Sequence, residues 1–341
     1  MNKTSTLKIG LIGCGYWGPN YVRIFHFMPS VEVVGCSDLD GEKLSRLKHQ
    51  FPNIGTTQDY LNLLRDPTVD AVIVSTQATT HHEIVKKCLE AGKHVLVEKP
   101  LTMRVKDGQE IIDLAAKKKR ILMVGHTFLY NPAVRKMKEC IDKGLLGKIY
   151  YLSATRTHLG LIRKDVNAIW DLAPHDVSIF SYLLGKMPLQ VCAVGGSYLK
   201  EGAEDAAFIN LIYPDGILGN IHVSWVDSNK VRQVSVIGSQ ARIVFDDLNN
   251  LEKVRIYEKG ISMDRPYDSF GEFQLLLRDG DIISPKVDTH EPLRKVCEEF
   301  AEGILHGKPI LSDGINGLET VRIMETIERS IRQRGVPTPV V

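Results

Sequence analysis

The sequence predicts an α/β protein in two parts, a parallel sheet interleaved with helices and then an α+β part built on a large, open, mainly antiparallel sheet. Three observations carry this. Through the first third, short β-branched runs alternate with stretches whose apolar residues recur every three to four positions. Beyond residue 190 strand-like runs follow one another with tight-turn signals between them. The chain has 341 residues, more than the roughly 250 to 300 at which a single core stops growing.

The runs 9–12, 31–35, 71–74, 94–97 and 121–124 are almost wholly apolar, as expected of strands covered on both faces. Between them, 83–91 and 105–118 have helical periodicity, so the segment reads as βα units. After Gly125 the pattern changes to a helix from 132 to about 143, the breakers Gly144 and Gly147, and a strand at 148–155. The boundary is therefore placed at 126, giving domains 1–126 and 127–341. A helical pattern continues beyond Pro174, which predicts a helix start within about one turn of that proline. Strands follow at 190–197, 206–213, 218–224, 231–237 and 242–245, punctuated by Pro214-Asp215-Gly216 and Gly238-Ser239. Consecutive strands on tight turns predict antiparallel pairing. Helices at 291–306 and 315–333 close the chain, and 257–284 has too weak a periodicity to assign a path.

Composition excludes several functions. Lys and Arg number 43 against 41 Asp and Glu, and the net charge of +2 predicts no nucleic-acid or membrane partner. The basic run 117–120 reads as a solvated helix end. No apolar stretch reaches the ~18 residues of a membrane span, and residues 1–6 lead into a strand without a long apolar run, so neither a span nor a secretory leader is expected. The six cysteines form no Cys-x-x-Cys pair and no zinc spacing, so a cytoplasmic chain with reduced thiols and no metal is expected. Cys14, within a glycine loop, reads as a packing residue.

Gly13-Cys14-Gly15-Tyr16-Trp17-Gly18 fits G-x-G-x-x-G between a strand and a helical pattern, the context the motif needs. Gly13 permits the tight turn, Gly15 lets the backbone approach a pyrophosphate, and Gly18 allows close helix packing. Pro19 is tolerated in a first helical turn because it replaces an N–H with no intrahelical partner. Asp38 ends the second strand 20 residues (38 minus 18) beyond the last motif glycine, placed to accept hydrogen bonds from the adenosine ribose. The motif predicts a Rossmann domain, and the carboxylate predicts NAD over NADP. The alternative for Asp38 is a helix cap near Gly41.

Glu98 and Lys99 follow the apolar run 94–97 at the strand edge where open α/β sheets bind ligands, and Pro100 restricts Lys99 to extended geometry. The alternative is a surface ion pair. Asp171 and His175 are four apart on one helical face, a pattern suited to a general base and its carboxylate partner. A structural histidine is the alternative there. Arg156, Arg163 and Lys164 supply cations that suit a diphosphate or carboxylate, or else form a solvated loop.

Together Gly-Cys-Gly-Tyr-Trp-Gly-Pro-Asn (13–20), Val-Glu-Lys-Pro-Leu-Thr (97–102) and Trp-Asp-Leu-Ala-Pro-His-Asp (170–176) resemble the Gfo/Idh/MocA oxidoreductases, over most of the chain. The block from Gly125 to Arg135 is similar to the branch acting on sugar nucleotides. The resemblance implies that Lys99 binds the reacting hydroxyl, that His175 accepts its proton, and that Asp171 pairs with His175. Tyr16, Trp17, Thr76, Glu98 and Lys99 join Gly13, Gly15, Gly18 and Asp38 as expected NAD contacts. Lys99, Asn131, Arg156, Arg163, Asp171 and His175 are the expected substrate contacts. The resemblance further implies a cis Lys99-Pro100 bond and a UDP-N-acetylglucosamine-type substrate oxidised at C3. Inositol or free-sugar dehydrogenation and a non-catalytic nucleotide sensor are the alternatives, the latter opposed by the intact Lys99 and His175. A homodimer or homotetramer is expected through the open sheet, which otherwise leaves apolar surface exposed.

Overall fold

The computed structural model describes residues 6–160, 162–261 and 277–341. Contacts divide the chain into two compact units, Met1–Thr127 with Glu291–Val321, and Phe128–His290 with Arg322–Val341.

In the first unit β1 (Leu7–Ile12), α1 (Gly18–His26), β2 (Val31–Ser37), α2 (Gly41–Gln50), β3 (Gly55–Thr57), α3 (Leu61–Arg65), β4 (Ala71–Val74), α4 (His81–Glu90), β5 (His94–Val97), α5 (Val105–Lys118) and β6 (Leu122–Val124) follow in order. The strands pair in the order 3-2-1-4-5-6, all parallel, as in a doubly wound dinucleotide-binding sheet. Val72, Val74, Val95, Leu96 and Val97 are fully buried, which explains why these segments are almost purely apolar. The order reverses direction between β1 and β4, and the loops after β1, β4 and β5 leave the same carboxyl edge.

The first unit is discontinuous, unlike the single cut at 126 that the sequence predicts. The outer edge of β6 is satisfied from far along the chain: Val124 N donates to the Ser312 carbonyl at 2.8 Å, and Ser312 Oγ donates to the Val124 carbonyl at 2.7 Å. An uncovered edge strand invites foreign pairing, and this return segment removes it. Arg23 also pairs with Glu291 at 2.5 Å.

The second unit contains α6 (Pro132–Asp142), β7 (Ile149–Thr157), α7 (Ala168–Leu184), β8 (Gln190–Gly196), β9 (Ala206–Ile212), β10 (Leu218–Ser224), β11 (Val231–Gly238), β12 (Arg242–Asp246), β13 (Val254–Tyr257), β14 (Gly260–Ile261), β15 (Leu277–Arg278), β16 (Ile282–Ile283) and β17 (Thr338–Pro339). The helices α8 (Pro292–His306) and α9 (Gly314–Arg332) complete the chain, α8 in the first unit and α9 across the division. Nine strands form one sheet in the order 16-13-12-11-7-10-9-8-17, antiparallel except for β7 beside β10. Part of the unassigned stretch 257–284 thus supplies β16, while 262–276 lies outside the described residues.

Alternation fixes the two faces of this sheet. Ala207, Ile209 and Leu211 of β9 and Ile221 and Val223 of β10 are buried, and a side chain at Gly219 would touch the Phe180 ring of α7 at 3.2 Å. On the opposite face Tyr151, Val194, Phe208 and Leu218 are 44–54% exposed. Among the described residues no helix is long and apolar enough to cross a membrane. All six cysteines are free thiols.

Candidate active site

The glycine loop leaves β1 in a conformation that explains its composition. Gly13 has φ +96°, and a Cβ there would lie 2.6 Å from the Ser75 carbonyl oxygen. A Cβ on Gly18 would lie 2.2 Å from the Gly13 carbonyl oxygen, so the last glycine lets the loop close on itself as α1 begins. Around Gly15 a Cβ would meet nothing within 4 Å. The loop is therefore closed at both ends and open in the middle, the shape a pyrophosphate cradle requires. Trp17 caps α1 without a side-chain hydrogen bond, and Pro19 follows in the first turn. Tyr16 and Trp17 are exposed, edge to face with centroids 5.4 Å apart.

Asp38 is turned into this loop. Its Oδ2 accepts from Cys14 N at 2.7 Å and its Oδ1 from Asp40 N at 2.9 Å. The capping role belongs instead to Asp40, whose carboxylate accepts from Glu42 N at 2.9 Å. Asp38 thus ties the end of β2 to the glycine loop, and its carboxylate suits ribose hydroxyls more than a 2′-phosphate. These residues fit NAD.

Beyond β4, Thr76 is half-buried, with its hydroxyl 2.8 Å from that of Thr80. Beyond β5, Glu98 is buried, accepting from Tyr21 Oη at 2.6 Å and from Lys99 N at 3.2 Å. Burial, and then the Glu98 charge, hold the Tyr21 phenol well above its ordinary range. Lys99 is half-buried and precedes a cis bond to Pro100. His81 joins the two loops, with Nδ1 2.7 Å from the Pro100 carbonyl oxygen and Nε2 3.3 Å from that of Thr76. Neither Tyr21 nor His81 carries a signal in the sequence, because each gains its role from residues brought close only by the sheet.

His126 ends the β6 edge and is also absent from the sequence expectations. Its imidazole is buried with no hydrogen-bond partner among the described residues. Burial, and then the Lys99 charge, push its pKa down to about 4.

In the second unit Asp171 and His175 stand one turn apart on α7, both half-buried. The helix starts at Ala168, earlier than Pro174 suggested, because Asn167 caps it by accepting from Trp170 N at 3.0 Å. Trp170 Nε1 also donates to Glu328 at 2.5 Å. Capping and burial hold the first turns, so Pro174 is tolerated inside the helix.

The arginines are not free cations. Arg156 is buried and donates through Nε and Nη2 to Asp176 at 3.0 and 2.8 Å. Arg163 donates to both oxygens of Asp165 at 3.0 and 2.6 Å and to Asp171 at 3.1 Å, so it orients the carboxylate that stands one helical turn before His175. Both forks are engaged by carboxylates, a spatial pairing that loop composition does not show. Lys164 stays exposed. Asn131 caps α6, its side-chain oxygen accepting from Ala133 N at 2.9 Å. Phe128 packs edge to face on His175, with centroids 5.0 Å apart.

Residues 7–126 match an oxidoreductase family with an NAD-binding Rossmann fold, and 134–244 match the GFO/IDH/MocA C-terminal domain. Myo-inositol 2-dehydrogenase of Thermotoga maritima is 28% identical over 269 residues, 74% of this chain and 79% of that protein. UDP-N-acetylglucosamine 3-dehydrogenase of Acidithiobacillus ferrooxidans is 24% identical over 317 residues, 91% of this chain and 93% of that protein. A solved structure of the latter has a TM-score of 0.82 at 22% identity, covering 96% of this chain and 98% of that one. The WlbA dehydrogenase from Bordetella pertussis, in complex with NADH and UDP-GlcNAcA, gives 0.83 at 18% identity over 99% of this chain and 98% of that one.

Proposed function

The chain belongs to the GFO/IDH/MocA oxidoreductase family, with an NAD-binding Rossmann domain, and from that premise we propose that it oxidises a secondary hydroxyl of a sugar. The reacting carbon is C3 of a UDP-N-acetylglucosamine-type nucleotide sugar, and the product is the 3-keto sugar. The observation that carries this reading is the Asp171/His175 pair on one face of α7, in a chain that also offers Lys99 at the carboxyl edge of its dinucleotide-binding sheet. A relative spanning 91% of this chain acts on that substrate.

Gly13, Gly15, Gly18 and Asp38, with Tyr16, Trp17, Thr76, Glu98 and Lys99, hold the cofactor. NAD held there would supply the acceptor for the hydride that leaves the carbon. Neutral His175 takes the hydroxyl proton as that hydride leaves, so the C–O bond becomes C=O without a free oxyanion building up. Asp171, steadied by Arg163, stabilises the resulting imidazolium. The Lys99 ammonium stabilises negative charge developing on the oxygen. Tyr21 steadies the Glu98 carboxylate and His81 the Pro100 carbonyl, on either side of Lys99. Asn131 and Lys164 supply further polar contacts to the sugar and its diphosphate.

A second reading has its own support. Arg156 and Arg163 are both committed to carboxylates, which favours an uncharged polyol such as an inositol. NADH fluorescence with UDP-N-acetylglucosamine and with myo-inositol separates the two. Turnover of the nucleotide sugar alone supports the first, and turnover of myo-inositol alone replaces it with the second.

The protein acts in the cytoplasm as a homodimer or homotetramer joined through the open sheet face, where Tyr151, Val194, Phe208 and Leu218 expose apolar surface. Light scattering at micromolar protein gives the mass of a dimer or larger, and a monomeric mass removes this part of the proposal.

A further inference from the structure

We propose that Phe128, clamped by the buried Arg156–Asp176 pair, is the positioning element that fixes the imidazole of His175. The inference deepens the reading of His175 as the base and rests on it.

Three elements of the second unit converge on this ring. Asp176 follows His175 on α7, Arg156 comes from β7, and Phe128 from the short turn Thr127–Tyr130. Arg156 and Asp176 are 4% and 1% exposed. Two bonds at 3.0 and 2.8 Å fix the guanidinium plane against the carboxylate. The guanidinium carbon lies 4.5 Å from the Phe128 ring centroid, and the Phe128 ring meets the His175 ring at 5.0 Å and 63°. A flat cation thus lies against one aromatic ring, and that ring's contact with the imidazole is edge to face.

The chemistry explains why such a brace is useful. The torsion that turns a histidine ring is broad and weakly restrained, yet a general base must hold its nitrogen within hydrogen-bond reach of the proton it removes. Packing against Phe128 narrows that torsion. Arg156 in turn restrains Phe128, and Asp176 anchors Arg156 to the helix that carries His175. Because the pair is neutral overall, it stiffens the site without placing a net like charge beside a base that becomes cationic. A buried ion pair is weak evidence for stability, since apolar replacements often serve as well, so a positional role accounts better for this pair.

The test uses the full chain saturated with NAD. Phe128→Leu keeps an apolar side chain and removes the ring, Phe128→Tyr keeps the ring, and Arg156→Lys keeps the charge but removes the planar fork. With histidine labelled at its ring nitrogens, NMR of wild type and Phe128→Tyr is expected to show His175 in one tautomer with sharp resonances. Phe128→Leu is expected to mix tautomers or broaden those signals, with melting temperature and NAD affinity held. Arg156→Lys should act in the same direction, and Phe128→Leu decides the matter if the lysine variant does not fold. Unchanged His175 tautomer and line widths in Phe128→Leu overturn the proposal.

Kinetics with UDP-N-acetylglucosamine or myo-inositol then separates the brace from the base. Phe128→Leu should lower kcat about tenfold, equivalent to about 1.4 kcal/mol, with little change in KM. In the His175→Ala background it should cost nothing further. An equal loss in both backgrounds overturns the proposal. If His175→Ala itself keeps the wild-type rate, the base reading falls, and the NMR result alone decides whether the brace stands.

Discussion

Replacing Gly15 by alanine separates the cofactor cradle from the fold that carries it. A Cβ at that position meets no protein atom within 4 Å, and its φ lies outside the left-handed range. The ligand-free protein should therefore lose nothing and gain up to about 0.4–1 kcal/mol through a stiffer unfolded chain. The added methyl stands where the backbone must approach the pyrophosphate, so NAD affinity should fall at least about tenfold, roughly 1.4 kcal/mol. Gly13→Ala is the contrasting control. Its φ of +96° and a Cβ 2.6 Å from the Ser75 carbonyl oxygen set a left-handed penalty of about 1–2 kcal/mol before any clash with backbone is added. Thermal unfolding with and without NAD, alongside calorimetric titration, reads both effects. A Gly15→Ala protein that melts several degrees lower without ligand would show that the position is not open, and one that binds NAD as tightly as wild type would show that the loop does not approach the pyrophosphate there.

Asp38 should make NADP bind roughly 10- to 100-fold more weakly than NAD, because a 2′-phosphate near its carboxylate costs a few kcal/mol at most near a surface. Asp38→Ser should narrow the ratio in calorimetry, and equal wild-type affinities would remove the assignment. Tyr21→Phe leaves Glu98 without its 2.6 Å donor in a buried position and should lower stability by about 1.5–3 kcal/mol in urea unfolding, whereas an unchanged midpoint would mean that water replaces the hydroxyl. Burial, and then Arg120, push the His94 pKa down to about 4, and its Nδ1 accepts from Ile121 N at 3.0 Å, a bond that protonation at that nitrogen breaks. The folded state therefore binds fewer protons than the unfolded state between about 4 and the ordinary 6.5. Its contribution is full above pH 6.5 and declines as pH falls through that window. The drop in urea midpoint between pH 7 and pH 5 should shrink in His94→Gln, and an identical drop would contradict the assignment.

The sequence discloses what depends on periodicity and local spacing. The apolar runs that become β1, β2, β4, β5 and β6 lie in a sheet covered on both faces, and burial there demands such runs. The position of Asp38 at the end of β2 is equally legible, because a strand and a glycine loop at fixed spacing leave it one place to point. What depends on distant partners is hidden. Arg156 and Arg163 read as loop cations until Asp176, Asp165 and Asp171 occupy their forks. Ser312 carries no sign that it completes the edge of β6, so the return of 291–321 to the first unit cannot be read from the chain. The start of α7 is misplaced for a local reason, since a proline outweighs an asparagine cap in a pattern reading while the folded helix retains both.

The most direct test of the central claim is single-turnover NADH formation with UDP-N-acetylglucosamine in wild type, His175→Ala and Lys99→Ala. Wild type should form NADH and a 3-keto sugar. His175→Ala should be about 10² to 10⁴-fold slower with NAD affinity retained, and Lys99→Ala should lose at least as much. Near-wild-type rates in either variant would contradict it and show that the residue concerned takes no part in the chemistry.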